Sequence, residues 1–227
     1  MFMNSSRQSV ARSKREARNE RRREQTRTEI LDTARDVVLR SGLAGFTLAD
    51  VAEELALTKP ALYYYFESKE ALLFELLLRE WVESATEVHE AVEGTESGAD
   101  AVEQLMRTVF NRYRDRLELF VLFFKMGPGG DFDGLIGPDE LERFRPINDL
   151  LYGGSEARLR ADQRTGGFPK KRDPRRFAFT AHMAVIGLLN MMAIAAAAYD
   201  PLIHSDADLI EDICTTFRDA ALKGGGR

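Results

Sequence analysis

Among its 227 residues the chain has one cysteine, Cys214, and only three histidines. A single thiol excludes an intramolecular disulfide framework and a cysteine-based zinc site, and Cys214 sits in an apolar helical stripe, which reads as a packing position. His89, His182 and His204 are scattered, so neither a metal site nor a Ser-His-Asp arrangement can be assembled from them. The chain also has no P-loop, no dinucleotide fingerprint and no paired metal ligands, so no enzymatic activity, metal or cofactor is expected. It shows no secretory apolar segment near its start, where the first 27 residues are polar and arginine-rich. Asn4-Ser5-Ser6 fits the glycosylation pattern by chance. The longest apolar run, "MAVIGLLNMMAIAAAAY", is alanine-rich, is interrupted by Asn190 and reads as too short to cross a membrane. A cytoplasmic protein without a membrane partner is expected.

What is present is helix and unevenly placed charge. Residues 1–27 hold nine Lys/Arg against three Glu, a net of +6, so the other 200 residues carry −11 of the total of −5. A basic arm on an acidic body points to a polyanionic partner at one end. Nearly every segment repeats its apolar residues with the 3.6-residue period, and no alternating strand pattern appears, so an all-α chain is predicted. The arm "RSKREARNERRREQTR" is rich in helix formers, with Glu20–Arg23 and Glu24–Arg27 at i,i+3 spacing, and so can extend the first helix. That helix places Ile30, Ala34, Val37, Val38 and Ser41 on one face and is predicted to stop at Gly42 through a left-handed cap.

"TLADVAEEL" opens with Thr47 as N-cap and Asp50 three residues on, a capping box with Asp in place of Glu. Ala56-Leu57 makes a turn, Thr58 caps a second short helix, and Pro60 is tolerated in its first turn. Ser68 caps a long helix. Further helices are predicted at about 69–92, 99–126, 139–151, 174–199 and 207–222, with loops at 127–140 and 152–173. The short helices 47–55 and 58–65, preceded by 27–41, have the proportions of a helix-turn-helix held together by Phe46, Val51, Leu55, Leu57, Leu62 and Phe66. In such units the second helix enters the major groove by its N-terminal residues. Thr58 and the free amides at the helix start suit a phosphate oxygen. Lys59 suits a phosphate or a guanine edge, and Pro60 and Ala61 a thymine methyl. Tyr63, Tyr64 and Tyr65 cannot all face one core, because consecutive helical residues point about 100° apart; outward rings would line the groove and donate to phosphates.

"TLADVAEELALTKPALYYYFESKEALL" resembles the DNA-binding signature of the TetR family of bacterial transcriptional regulators, over about Gln25 to Leu78. The most specific element is Lys-x-x-Leu-Tyr-x-Tyr-Phe-x-Ser-Lys-Glu at 59–70. The resemblance implies phosphate contacts from Thr47, Tyr64 or Tyr65 and Lys69, and groove contacts from Thr58, Lys59, Pro60, Ala61 and Tyr63. Two positions depart from the family: Ala56 stands where glycine is usual, and Ala49 where some members read a base with arginine. The implied organisation is a basic arm at 1–23, a helix-turn-helix domain at 24–70 and a larger helical domain at 71–227 that dimerises and binds a small effector. Whether the arm contacts DNA or remains a solvated tail stays open.

In the larger domain, helix 174–199 is apolar nearly all round, with Phe177, Ala181, Ala184, Val185, Leu188, Met192 and Tyr199 on one face and Phe179, Met183, Ile186, Asn190 and Ile194 on another. Pairing of this helix and the last one with their symmetry mates would make a four-helix dimer interface, to which Leu188, Met192, Ile210, Ile213, Cys214 and Phe217 are assigned. A two-fold dimer implies a pseudo-palindromic operator on double-stranded DNA. Met106, Phe110, Tyr113, Phe120, Phe123, Phe124, Met183, Asn190 and Met191 are candidates for an apolar effector pocket. The expected activity is a repressor released by a lipophilic effector that alters the spacing of the reading heads through helix 69–92. The alternatives are an effector-independent regulator, a non-specific module driven by the arm, and an α-helical enzyme.

Overall fold

The helical periodicity of the sequence is realised throughout: every regular element among the described residues is an α-helix. The computed structural model describes residues 3–126, 137–198 and 204–222, with side chains from Arg15 onward except at residues 125, 138 and 139. Most of the predicted 127–140 loop, Tyr199 and the side chains of Asn4-Ser5-Ser6 lie outside the described residues. The chain divides into two compact units, Met1–Leu76 and Leu77–Arg227.

The first unit contains α1 (Met3–Gly45), α2 (Leu48–Glu54), α3 (Lys59–Tyr65) and the start of α4 (Lys69–Glu93). The expected domain boundary at 70/71 therefore falls inside a helix. The arm is not a separate element either: α1 runs without interruption to Ser41, and Gly42 breaks it at φ 69°, ψ 168°. The break turns the chain so that Phe46 N–H can return to the Gly42 carbonyl at 3.1 Å. Ile30, Ala34, Val37 and Val38 from α1 are buried with Phe46, Val51, Ala52, Leu62, Phe66, Leu72 and Leu73. Leu55 and Leu57, expected in this core, are only half-buried. Helices of seven residues are marginal in isolation, so α2 and α3 depend on this shared core.

The second unit holds the rest of α4, then α5 (Gly98–Tyr113), α6 (Leu117–Met126), α7 (Pro138–Thr165), α8 (Pro174–Ala198) and α9 (Asp206–Leu222). Two sequence expectations are corrected here. The helix predicted at 99–126 is two helices, broken at Arg114–Arg116, where Arg116 N–H turns back to the Tyr113 carbonyl at 2.9 Å. The loop predicted at 152–173 is helical as far as Thr165, and α7 ends only at Gly166, whose φ of 88° is a left-handed cap. Gly153-Gly154 does not interrupt α7; a Cβ on Gly154 would come within 2.9 Å of Val92 on α4, so this glycine admits a neighbouring helix. Gly98 plays the same part between α5 and α7, since its Cβ would meet Leu159 at 2.6 Å.

α4 and α5 are joined by buried charge. Arg112 Nη2 donates to Glu80 Oε1 at 2.7 Å and to Glu83 at 3.2 Å, and Nη1 donates to Glu87. Tyr113 O–H donates to the same Glu80 oxygen at 3.0 Å. Glu80 is 4% exposed, so its carboxylate finds its hydrogen-bond partners in these side chains and not in water. α8 is long and apolar enough, by length and composition alone, to cross a membrane, a test that helices of soluble proteins also pass. One of its faces, from Phe177 through Ala181, Val185 and Leu188 to Met192, is buried within the unit.

Candidate nucleic-acid interface

The turn between α2 and α3 is built from short-range signals. Thr47 Oγ1 accepts from Asp50 N–H at 3.3 Å, and Asp50 Oδ2 accepts from Thr47 N–H at 3.2 Å, which closes the predicted capping box. The Thr47 hydroxyl also donates to Asp50 Oδ2 at 2.7 Å, so its proton is already committed within the cap. Thr58 differs. Its hydroxyl accepts from Ala61 N–H at 3.3 Å, and its own proton is left to donate outward. Between the two caps, Ala56 adopts φ 50°, among the described residues the only positive φ outside glycine. The turn is therefore not reshaped around the missing glycine; alanine adopts the left-handed conformation itself. Ala56 and Leu57 donate to the Glu53 and Ala52 carbonyls at 3.1 and 2.8 Å, and this ties the turn to the end of α2.

α3 then sorts its residues by face. Leu62 points into the core at 1% exposure, while Tyr63 and Tyr64 stand out at 51% and 66%. Thr58, Lys59 and Pro60 are exposed on the approach to the helix, and Ala61 and Tyr65 are half-buried. Two of the three consecutive tyrosines thus face outward. The Tyr64 and Tyr65 rings meet edge to face with centroids 5.2 Å apart. Outward rings on a two-turn helix, with a threonine proton and a lysine at its start, make a surface suited to groove and phosphate contacts.

Residues 30–76 match the family described as bacterial regulatory proteins, tetR family. Over these residues the chain carries a domain of the tetR type. The HTH-type transcriptional regulator TtgR of Pseudomonas putida is 32% identical over 96 residues, which cover 42% of this chain and 40% of that relative. The matched stretch is thus less than half the length of TtgR. Among solved structures, FadR from Bacillus subtilis in complex with stearoyl-CoA aligns with TM-score 0.67 at 11% identity, covering 85% of this chain and 98% of that one. Salmonella enterica GusR aligns with TM-score 0.62 at 21% identity over 87% of this chain and 95% of its own. At these identities the likeness is one of fold, and it runs over most of the chain.

Within this TetR-family domain, Lys69 is not placed as the sequence implied. Its Nζ donates to the Leu43 carbonyl at 3.0 Å and lies 5.6 Å above the Phe46 ring. The cation holds the end of α1 in place with one of the three donors of its ammonium group. Arg23 and Arg27, by contrast, read in the sequence only as i,i+3 partners of Glu20 and Glu24 along the first helix. Arg27 donates to the Tyr65 carbonyl at 3.4 Å, pairs with Glu75 at 3.0 Å and lies 4.5 Å over the Phe66 ring. Arg23 lies 5.4 Å over the Tyr64 ring. Their i,i+4 spacing, in phase with Ala34 farther along the buried face, was the available signal.

The residues assigned to the second unit are dispersed. Met106, Phe110, Tyr113, Phe120 and Phe123 are buried, Asn190 is half-buried, and Phe124, Met183 and Met191 are exposed. Tyr113, Phe120 and Phe124 do form an aromatic ladder, with successive centroids 5.7 and 5.8 Å apart. Two clefts in this unit have other linings. One of about 340 Å³ lies between α4 and α7 at His89, Gly154 and Arg158; one of about 400 Å³ lies between α8 and α9 at Arg172, Phe177 and Phe217. The residues assigned to the dimer interface are largely covered within the protomer. Leu188, Met192, Ile210 and Cys214 are buried inside the protomer, and Ile213 and Phe217 are half-buried. The apolar face that α8 leaves uncovered consists instead of Phe179, Met183, Met191 and Ile194. An apolar helix with no polar side gave no phase from which to choose between the two faces.

Proposed function

We propose that the protein is a cytoplasmic transcriptional repressor that binds a pseudo-palindromic operator as a homodimer and is released by a lipophilic small molecule. The observation that carries the DNA-binding part is the outward face of α3, where Thr58, Lys59, Pro60, Tyr63 and Tyr64 are exposed together on a helix whose other side is core. Thr47, Ala61, Tyr65 and Lys69 are assigned to its edges, and Lys69 can keep the Leu43 carbonyl while donating to a phosphate with its other N–H groups. Dimerisation is supported by the uncovered apolar face of α8, which a second copy can cover by the same residues across a two-fold axis. The two-fold axis then sets the symmetry of the operator.

The stearoyl-CoA bound to the FadR of like fold, together with the aromatic and methionine content of α5, α6 and α8, supports a long-chain apolar effector. Its binding would lower operator affinity by a coupling of about 1–3 kcal/mol. The burial of Met106, Phe110, Tyr113, Phe120 and Phe123 favours a second reading, in which side chains fill the space and no effector is used. Raised melting temperature in a panel of long-chain acyl compounds supports the first reading; no response across the panel supports the second.

The DNA-binding reading is tested by fluorescence anisotropy on the DNA flanking the protein's own gene, at several salt concentrations, with Tyr63→Ala beside the wild type. The expected result is a specific complex at physiological salt, lowered at least tenfold in affinity by the substitution. Weak binding to any duplex, indifferent to Tyr63, would assign the tyrosines to packing alone.

A further inference from the structure

The N-terminal extension of α1 separates its charges by face. Every residue from Arg15 to Gln25 is exposed, and the helix is continuous through them. At about 100° per residue, Arg15, Arg18, Arg21 and Arg22 fall within about 120° of one another on one side. Glu16, Glu20 and Glu24 follow one another at i,i+4 on the other, the side from which Arg23 and Arg27 reach Tyr64 and Tyr65. Arg15, Arg18, Arg21 and Arg22 form no ion pair with any described residue. A helix that served only to stay solvated would alternate its charges, because like charges at i,i+3 and i,i+4 repel and opposite ones attract. On the glutamate side Arg23 and Arg27 interleave with Glu20 and Glu24, whereas the basic side sets Arg18 at i,i+3 and i,i+4 from Arg15, Arg21 and Arg22, a repulsion that an outside polyanion would offset.

We infer that the basic face of this arm, centred on Arg18, lies along the phosphate backbone of the duplex beside the groove that α3 enters. The inference rests on the DNA-binding reading of α3 and adds a second, sequence-independent contact surface to it. The root of the arm is fixed to the reading helix by Arg23 over the Tyr64 ring, at 5.4 Å, and by the Arg27 bond to the Tyr65 carbonyl, at 3.4 Å. The arginines are thereby carried as a rigid row and not on a loose tail. Arg15 and Arg22 are about 10 Å apart along the helix axis, the span of about three phosphates of one strand at roughly 3.4 Å each. A membrane surface does not fit, since the face opposite the arginines is acidic where an interfacial helix needs Trp, Phe or Leu.

The experiment measures anisotropy against salt for three full-length proteins: the wild type, Arg15→Gln/Arg18→Gln/Arg22→Gln, and the charge-neutral exchange Arg18→Glu/Glu20→Arg. Each is titrated with the flanking-gene duplex, a scrambled duplex and an RNA duplex of the same sequence, and helix content is compared by far-UV circular dichroism. The triple variant is expected to lower the slope of log K against log salt by about 2–3 per bound protomer, about 5 for a dimer, and affinity by at least roughly 10- to 100-fold near 0.1 M salt. It should do so equally on both DNA duplexes, leaving the ratio between them unchanged. The exchange keeps the net charge but breaks the face, so it should also lower the slope. An unchanged slope in the exchange variant overturns the proposal, because net charge alone is then acting. So does an unchanged slope in the triple variant, or a loss confined to RNA. Loss of helix in the exchange variant is answered by Glu16→Lys, which adds a cation to the acidic side and should leave the slope unchanged if only the basic face meets DNA. Failure of the DNA-binding reading looks different: the wild type would show no preference between the two DNA duplexes, and Tyr63→Ala no effect. If the wild type binds no duplex, both readings fall.

Discussion

At Ala56 the chain places a β-carbon where the left-handed conformation leaves little room for one. Its φ of 50° is held by the two backbone hydrogen bonds that close the α2–α3 turn. A left-handed residue other than glycine costs about 1–2 kcal/mol, while glycine adds about 0.4–1 kcal/mol of freedom to the unfolded chain. Ala56→Gly is therefore expected to stabilise the protein by about 0.5–1 kcal/mol, read as a raised urea midpoint with an unchanged m-value. Operator preference should not move, because Ala56 lies between the caps and not on the outward face of α3. A lowered midpoint would mean that the Ala56 methyl is worth more in contacts than it costs in strain. This turn was the most legible part of the chain. Thr47 with Asp50, Thr58 with Pro60, and the short run between them all act within four residues, so local chemistry decides them. Lys69 was illegible for the opposite reason: its partner, the Leu43 carbonyl, lies 26 residues away and belongs to a backbone group that no side-chain pattern reveals.

Between elements, α7 and α8 meet through Tyr152 and His182. The Tyr152 hydroxyl lies 2.6 Å from His182 Nδ1, and the Arg175 guanidinium lies 6.0 Å from the Tyr152 ring centroid. Burial holds Tyr152 well above its ordinary pKa, so it stays protonated and donates, and burial pulls the His182 imidazole down to about 4. A histidine whose folded pKa lies below its unfolded value of about 6.5 binds fewer protons in the folded state across that interval, so stability falls as pH is lowered from 6.5 towards 4. This residue alone should leave the protein about 2 kcal/mol less stable at pH 5 than at pH 7. His182→Gln should remove that part of the pH dependence, which urea denaturation of both proteins at the two pH values will show; identical slopes in the pair would mean that the imidazole titrates normally. The same scale explains what was misread. Gly153-Gly154 has the composition of a turn, yet Gly154 is the notch through which α7 approaches Val92. Arg114–Arg116 has no breaker residue, yet it ends α5. In both cases the deciding partner is another helix or a distant packing demand, and periodicity along one helix cannot report it.

For the molecule as a whole, the uncovered apolar face of α8 is the observation behind the proposed dimer. Met191 and Ile194 are 53% and 56% exposed, and with Phe179 and Met183 they continue at helical spacing along one side. Scattered exposed apolar residues are ordinary; a contiguous row of them on a 25-residue helix marks an interface. Their exposure separates association from folding. Met191→Glu/Ile194→Glu should leave the urea midpoint of the dissociated protomer within about 0.5 kcal/mol of the wild type, because no core contact is removed. Across a two-fold axis each substitution occurs twice, and four buried carboxylates should raise the dimer dissociation constant by about 100-fold or more. Sedimentation velocity across a concentration series reads this directly, and a dimer that persists unchanged would place the seam elsewhere. Operator binding supplies the linked readout. A protomer keeps α3 and the basic arm, so the variant should retain salt-dependent binding to half-sites while losing the sensitivity to half-site spacing that only a coupled pair can have. Spacing sensitivity that survives dissociation would require a dimer that forms on the DNA itself, with operator contacts supplying the association energy that α8 has lost.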